Sequence, residues 1–226
     1  MIIGIHQPNY LPWLGFFHKI HKSDKFVFLT MSQRSKSDKY LTKTSIVNGD
    51  RKYLLSIPLG NRQIPINHLR MPTDLKWKKK FLNVICNSYG KSCFFEQVFP
   101  DIEALIIDKS EFFSDYSISS IKFLLRKLNI DTTLYIDSAL ERDFGSSNER
   151  NINICNFFGA KQYFSGLGAI TYNDIDLYKD QGIELIYQHF PFKIYNQLST
   201  KFIPGVSVID AIFNLGYKKT EELIKC

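Results

Sequence analysis

Within thirteen residues near the start of the chain, HQPNYLPWLGFFH, lie His6, Gln7, Asn9, Tyr10, Trp13 and His18. An imidazole titrates near neutral pH, so His6 is the first candidate for a general base that takes a proton from an ammonium or hydroxyl nucleophile. Gln7 and Asn9 exchange no protons at neutral pH and read as substrate-binding amides. Tyr10 and Trp13 can stack on a base, a sugar or an acyl chain. Pro8 and Pro12 fix φ near about −65° and remove two backbone donors, so the loop is stiff. Stiffness lowers the entropy cost of holding polar groups where a ligand arrives. The competing reading is structural, with aromatics that plug the end of a sheet and a His6 that bonds a carbonyl to fix the loop. His18 and His21 sit three apart on a predicted helix without an obvious metal companion, and both read as surface residues.

Further along, Arg34, Lys36, Lys39 and Lys43 make a polar, basic segment that either reaches a phosphate or is a solvated loop. The SGLG loop, with Ser165, Gly166 and Gly168, could cradle a phosphate with backbone donors, or be an ordinary turn. Two glycines fall short of a dinucleotide fingerprint. Ser146, Ser147 and Arg150 could bind an anion at a helix start, although capping explains the serines equally. Asp210 and Asn214 are four apart and so share a helix face. A carboxylate on a largely buried helix needs a partner. Asp210 either has structural donors or orients His6 and raises its basicity. Gln188 and Gln197 would complete a polar wall, with Tyr195 between them and His189 as a reserve base. No metal site is expected.

These residues need a scaffold, and hydrophobic patterning supplies one. Residues 2–5 read as a buried strand, 14–22 as a short helix and 26–29 as a second strand, a βαβ unit with parallel strands. Ligands of open α/β sheets bind beyond the carboxyl ends of the strands, where residues 6–13 would lie. Residues 44–47 and 52–57 flank Asn48-Gly49, a type I′ turn pair, and predict a β-hairpin; 66–69 reads as a short strand. Three helices follow: one capped by Asp74, one running from Asp101 to 112, and one beginning at Ser117. Strands at 132–136, 162–164 and 183–188 alternate with helices ending at Gly159 and Gly182. A closing helix spans 207–215 with Gly216 at its end. The expected architecture is α/β in one domain, 1–226: a mostly parallel central sheet with a β-hairpin and a helical middle segment, about 74–130, packed alongside.

Composition narrows the class. The chain has 226 residues, 44% apolar and 23% charged, within the globular range. Phe (19) and Tyr (12) are abundant, which favours an aromatic-lined pocket beyond what the core consumes. A net charge of +7 suits a polyanionic partner such as a sugar nucleotide, CoA, a phosphopantetheine carrier protein or nucleic acid, or simply a solvated surface. Cys86, Cys93, Cys155 and Cys226 have no CxxC spacing, which predicts free thiols in a reducing cytoplasm. There is no signal-peptide pattern and no apolar run near the ~20 residues of a spanning helix. Membrane insertion is not expected, and no motif supports nucleic-acid binding.

The opening HQPNYLPWLGFFHKI closely resembles the signature of the WbqC-like family, bacterial proteins often encoded among polysaccharide (O-antigen) biosynthesis genes. The resemblance continues through TSIVNGDRKYLLSIPL, YFSGLGAITY, IELIYQHF with Tyr195 and Gln197 beyond it, and FIPGVSVIDAIFNLG, and so covers essentially the whole chain. It departs at Lys43, where the family pattern has an arginine, and at Phe81, where a histidine follows Trp77. A looser likeness to nucleotidyltransferases with an HxGH-type motif ends at Phe16, which replaces the second histidine. Family membership implies surface-sugar metabolism, with acyl or aminoacyl transfer to an amino sugar as the reaction. The expectation is therefore a cytoplasmic transferase acting on a nucleotide-linked amino sugar, with His6 and Asp210 catalytic. No cofactor is firmly implied beyond an acyl-CoA or phosphopantetheine-linked donor, and an acyl carrier protein is the partner to test. The alternative is a non-catalytic scaffold that recruits a carrier protein or glycosyltransferase.

Overall fold

The computed structural model describes residues 1–34, 40–60 and 63–226, and Lys36 and Lys39 of the basic segment lie outside them. Five short strands form one sheet: β1 (Ile2–His6), β2 (Lys25–Phe28), β5 (Thr133–Ile136), β6 (Gln162–Ser165) and β7 (Glu184–Tyr187). Their order is β5-β2-β1-β6-β7, and every pair is parallel. The chain steps outward from β1 through β2 to β5, then returns to the other side of β1 for β6 and β7. The order reverses between β1 and β6, and in open parallel sheets that crevice is the ligand position.

Side chains alternate across a strand, so such a sheet buries both faces. On one face Ile3, Ile5 and Val27 pack with Ile152 and Cys155 of α5 (Ser147–Phe158) and Tyr178 of α6 (Ile175–Asp180). On the other, Phe26 and Phe28 pack with Phe16, Phe17 and Ile20 of α1 (Leu14–His21), and this core runs on into the helical segment. Gly4 is glycine for a packing reason, because a Cβ there would collide with the Phe26 ring and the Ser23 hydroxyl.

The connection from β2 to β5 holds the second sheet, the hairpin β3 (Lys43–Asn48) and β4 (Arg51–Ser56). It also holds three helices, α2 (Lys76–Tyr89), α3 (Phe95–Ile107) and α4 (Phe113–Lys127). The last element is α7 (Val208–Lys225), with a non-helical Gly216 at φ 74° inside it. The expected α/β architecture with hairpin and helical middle is therefore present.

Several expected boundaries are corrected. Residues 66–69 form a 3₁₀ turn (Ile66–His68) and not a strand. Asp101 does not start a helix but sits within α3, accepting Tyr217 Oη at 2.7 Å and Lys127 Nζ at 2.8 Å. Ser117 lies in the second turn of α4, and its hydroxyl donates to the Pro8 carbonyl at 2.9 Å. The hairpin closes on Gly49-Asp50, since Asn48 pairs with Arg51, and only Gly49 has positive φ. That is the φ pattern of a II′ rather than an I′ turn. Gly216 ends one helical run, and a second follows it. No described helix is long and apolar enough to cross a membrane.

Candidate functional site

The loop after β1 is held by bonds from distant parts of the chain. Pro8 O receives Ser117; Leu11 O receives the hydroxyls of Thr44 and Ser207, each at 2.7 Å; Pro12 O receives Val208 N at 2.8 Å. Leu11 itself is locked at a positive φ of 40°. Prolines, strain and tertiary bonds together fix this wall.

Against it lies a cleft in two lobes at the β1/β6 crevice. A polar lobe of about 550 Å³ is lined by Gln7 and Ser32 on one side and by Ser147, Asn148, Arg150, Asn151 and Tyr172 on the other. An aromatic lobe of about 610 Å³ is lined by Asn9, Trp13, Phe16, Phe190 and Phe192, with Lys43, Lys52 and Gln188. His6, Lys19, Gly166 and Gly168 line both lobes and so stand at their junction.

His6 ends β1 with its ring edge-on to Phe16, centroids 5.2 Å apart. Its Nδ1 lies 2.9 Å from the Gln7 carbonyl. A carbonyl only accepts, so Nδ1 carries the proton and Nε2 holds the lone pair. Burial first, and the Lys19 charge second, lower its pKa from 6.5 to about 4, against a small opposing effect of the Gln7 bond. The imidazole is neutral at pH 7.

Lys19 is the residue that sequence reasoning missed. It is 3% exposed, and its Nζ donates to Ile5 O at 2.7 Å. Among the described residues no carboxylate pairs with it, and burial lowers its pKa from 10.5 to about 7. Residue types gave no signal for it; α1 is buried from Leu14 to Ile20, and its lysine lines the junction of the two lobes.

Gly166 and Gly168 need no special φ, and a Cβ at either would meet nothing within 4 Å. Neither backbone geometry nor packing demands glycine there. What their lack of a side chain provides is open backbone facing the cleft. Ser165 beside them is fully buried and accepts Asn173 Nδ2 at 3.1 Å. Gln188 donates to Gly15 O at 2.7 Å and lies 2.9 Å from His18 Nδ1. His18 is therefore a buried positioning partner and not a surface residue, its pKa lowered to about 4 by burial.

Five expected site residues belong to the framework. Tyr10 is buried and stacks on Tyr116, their hydroxyls 3.3 Å apart. Arg34 is buried and donates to Gly60 O and Thr42 Oγ1. Asp210 does not orient His6, because its carboxylate accepts Tyr195 Oη (2.7 Å) and Gln197 Nε2 (2.9 Å) on one oxygen and Tyr89 Oη (2.9 Å) on the other. Burial raises its pKa despite these three donors. Gln197 also clamps Ile203 through both its amide atoms, and Asn214 donates to Asp210 O at 2.8 Å. None of the five lines either lobe, and the exposed His189 does not either. Phe81 packs on Trp77 and Tyr10, so the exchange at that position bears on the core and not on the cleft.

The sequence pattern of the WbqC-like protein family matches residues 7–222, nearly the whole chain, starting one residue after His6. The chain belongs to the WbqC-like family. A relative is "Uncharacterized protein Rv1507c" of Mycobacterium tuberculosis, 24% identical over 230 residues that cover 99% of this chain and 98% of the relative. No solved structure matches. In this WbqC-like chain the family's opening segment is the fixed wall of the cleft, and YFSGLGAITY supplies the open glycines opposite it.

Proposed function

We propose that this protein is a transferase of bacterial surface-polysaccharide biosynthesis that N-acylates or aminoacylates an amino sugar carried on a nucleotide. The observation that carries the reading is the two-lobed cleft whose lobes meet at His6, with a lone pair on Nε2. Two substrates entering from opposite sides bring an amine and an acyl carbonyl together there. The sugar amine attacks the thioester of an acyl-CoA or phosphopantetheine-linked donor, the C–N bond forms and the C–S bond breaks. His6 Nε2 takes the proton that the nitrogen loses and returns it to the departing thiolate. The Asn9 amide, which lines the aromatic lobe with His6, steadies the oxyanion. Trp13, Phe190 and Phe192 pack along the donor arm, with Lys43 and Lys52 at its phosphate. A panel of amino-sugar nucleotides and acyl or aminoacyl donors, assayed with the purified protein, tests this. Absence of product from every pair with folded protein rejects it.

The low basicity of His6 favours a second reading, a binding or scaffold protein that recruits a carrier protein or glycosyltransferase. A base near pH 4 accepts a proton poorly at pH 7. His6→Ala separates the two. A transferase loses turnover and keeps its partner, whereas a scaffold loses its partner and has no turnover to lose.

A further inference from the structure

We propose that the polar lobe binds the phosphoryl groups of a diphosphate-bearing ligand, with Lys19 as their buried counter-ion. This deepens the transferase reading by assigning the nucleotide diphosphate to that lobe, and it is tested by binding alone. Three independent features converge. Lys19 is a cation almost wholly withdrawn from water whose partners are neutral, Ile5 O and the Tyr163 ring with its centroid 5.9 Å from Nζ, with no carboxylate partner among the described residues. A buried cation is costly unless an anion joins it. Across the same lobe, Ser147 and Asn148 begin the twelve-residue helix α5, whose N-cap Ser146 makes no side-chain cap bond, and Arg150, its Nε donating to Gly145 O at 2.8 Å, follows one turn in. Between them the chain opens at Gly166 and Gly168, where no side chain stands between backbone and cavity. A lysine, an arginine, a helix start and bare glycine backbone on one cavity are what a diphosphate needs.

The aromatic lobe is the competing place, since Lys43 and Lys52 line it. Those lysines are far less buried than Lys19 and would be solvated without any ligand. Lys19, Gly166 and Gly168 line both lobes, so the choice rests on the start of α5 and on Arg150, which line the polar lobe alone.

The experiment is calorimetric titration of the full chain with inorganic pyrophosphate at pH 8, in two phosphate-free buffers of different ionisation enthalpy. Lys19 has a pKa of about 7 and is mostly neutral at that pH. An arriving anion draws a proton onto it, so the wild type takes up about one proton more per pyrophosphate bound than Lys19→Arg, in which only pyrophosphate's own last ionisation is left to move. The other titratable groups around the lobe stay silent, because burial holds His6 neutral and keeps Tyr163 and Tyr172 above the usual phenol range. Arg150 is the other basic side chain lining the lobe. Lys19→Met is expected to weaken binding tenfold or more and lose this extra uptake. Lys19→Arg keeps the charge, so it retains measurable binding without the extra uptake, which guards against a merely misfolded variant. Lys122→Met, at an exposed lysine that lines neither lobe, retains the affinity. UDP and 4′-phosphopantetheine, added as competitors, identify the source of the phosphates: displacement by UDP supports the assignment, and displacement by phosphopantetheine alone overturns it. Equal affinity in Lys19→Met, loss of binding in Lys122→Met, or no binding at millimolar pyrophosphate also overturns it. Pyrophosphate binding without any transferase activity leaves this assignment standing and sinks only the reaction.

Discussion

Replacing Lys19 with methionine should make the protein more stable, and more so at pH 7 than at pH 9. The side chain is 3% exposed and lacks an ion-pair partner, and burial lowers its pKa from 10.5 in the unfolded chain to about 7. Between those values the unfolded chain binds a proton that the folded one does not. Stability therefore rises with pH through this window, by about 1.4 kcal/mol per unit from this one group. Below pH 7 the burial cost is complete, at roughly 5 kcal/mol; above the unfolded value it is gone. Methionine has a similar length and removes that cost, but gives up the bond to Ile5 O, worth about 1 kcal/mol. The expected gain at pH 7 is roughly 3–4 kcal/mol. From pH 7 to pH 9 the wild type should gain about 2.5 kcal/mol relative to the variant. Urea unfolding of both proteins at both pH values, followed by tryptophan fluorescence in phosphate-free buffer, isolates the difference of differences, in which shared titrations cancel. If both proteins change stability equally between pH 7 and pH 9, Lys19 is an ordinary solvated lysine, and its buried, uncompensated charge is refuted.

Other outcomes follow from the same geometry. The His6 ring should titrate with a midpoint of about 4 in NMR spectra, as the Nδ1-protonated tautomer; a midpoint near the ordinary 6.5 would show it open to water. Because its folded pKa is lowered, the stability this neutral ring contributes is present above pH 6.5 and disappears as pH falls through 4. Gly166→Ala and Gly168→Ala should each leave stability within about 0.5 kcal/mol yet weaken pyrophosphate binding, as measured by thermal unfolding and calorimetry side by side. Asp210→Asn turns an acceptor into a donor facing Tyr89, Tyr195 or Gln197, and should cost about 2–4 kcal/mol in urea unfolding without touching the cleft. An unchanged midpoint would mean that the three donors find other partners.

The sheet was legible because its strands are short apolar runs bounded by turn residues, and the alternation of strand and helix around them is a strong pattern. Helix starts in the middle segment were less so. Asp101 read as a cap, yet α3 begins at Phe95 and carries Pro100 inside, and four residues before Ser117 already coil into α4. The first loop announced itself through its polar and aromatic types, and His6, Gln7, Asn9 and Trp13 do line the cleft. Tyr10 and Asp210 carry equally chemical side chains but point into the core, and residue type alone does not encode that direction. Lys19 shows the converse: a lysine reads as solvent-facing until the helix carrying it is found buried on every side.

Along the chain the central strand β1 precedes the other strands of its sheet, yet one of its two neighbours, β6, begins only at Gln162. At ribosomal rates of about 5–20 residues per second, that leaves one edge of β1 unpaired for roughly 10–30 s in a nascent chain. An unpaired, apolar parallel edge is a template for wrong associations. Biogenesis of this protein therefore depends on whatever shields Ile2–His6 until the last third arrives, and fragments ending before residue 162 should aggregate where the full-length polypeptide stays dispersed.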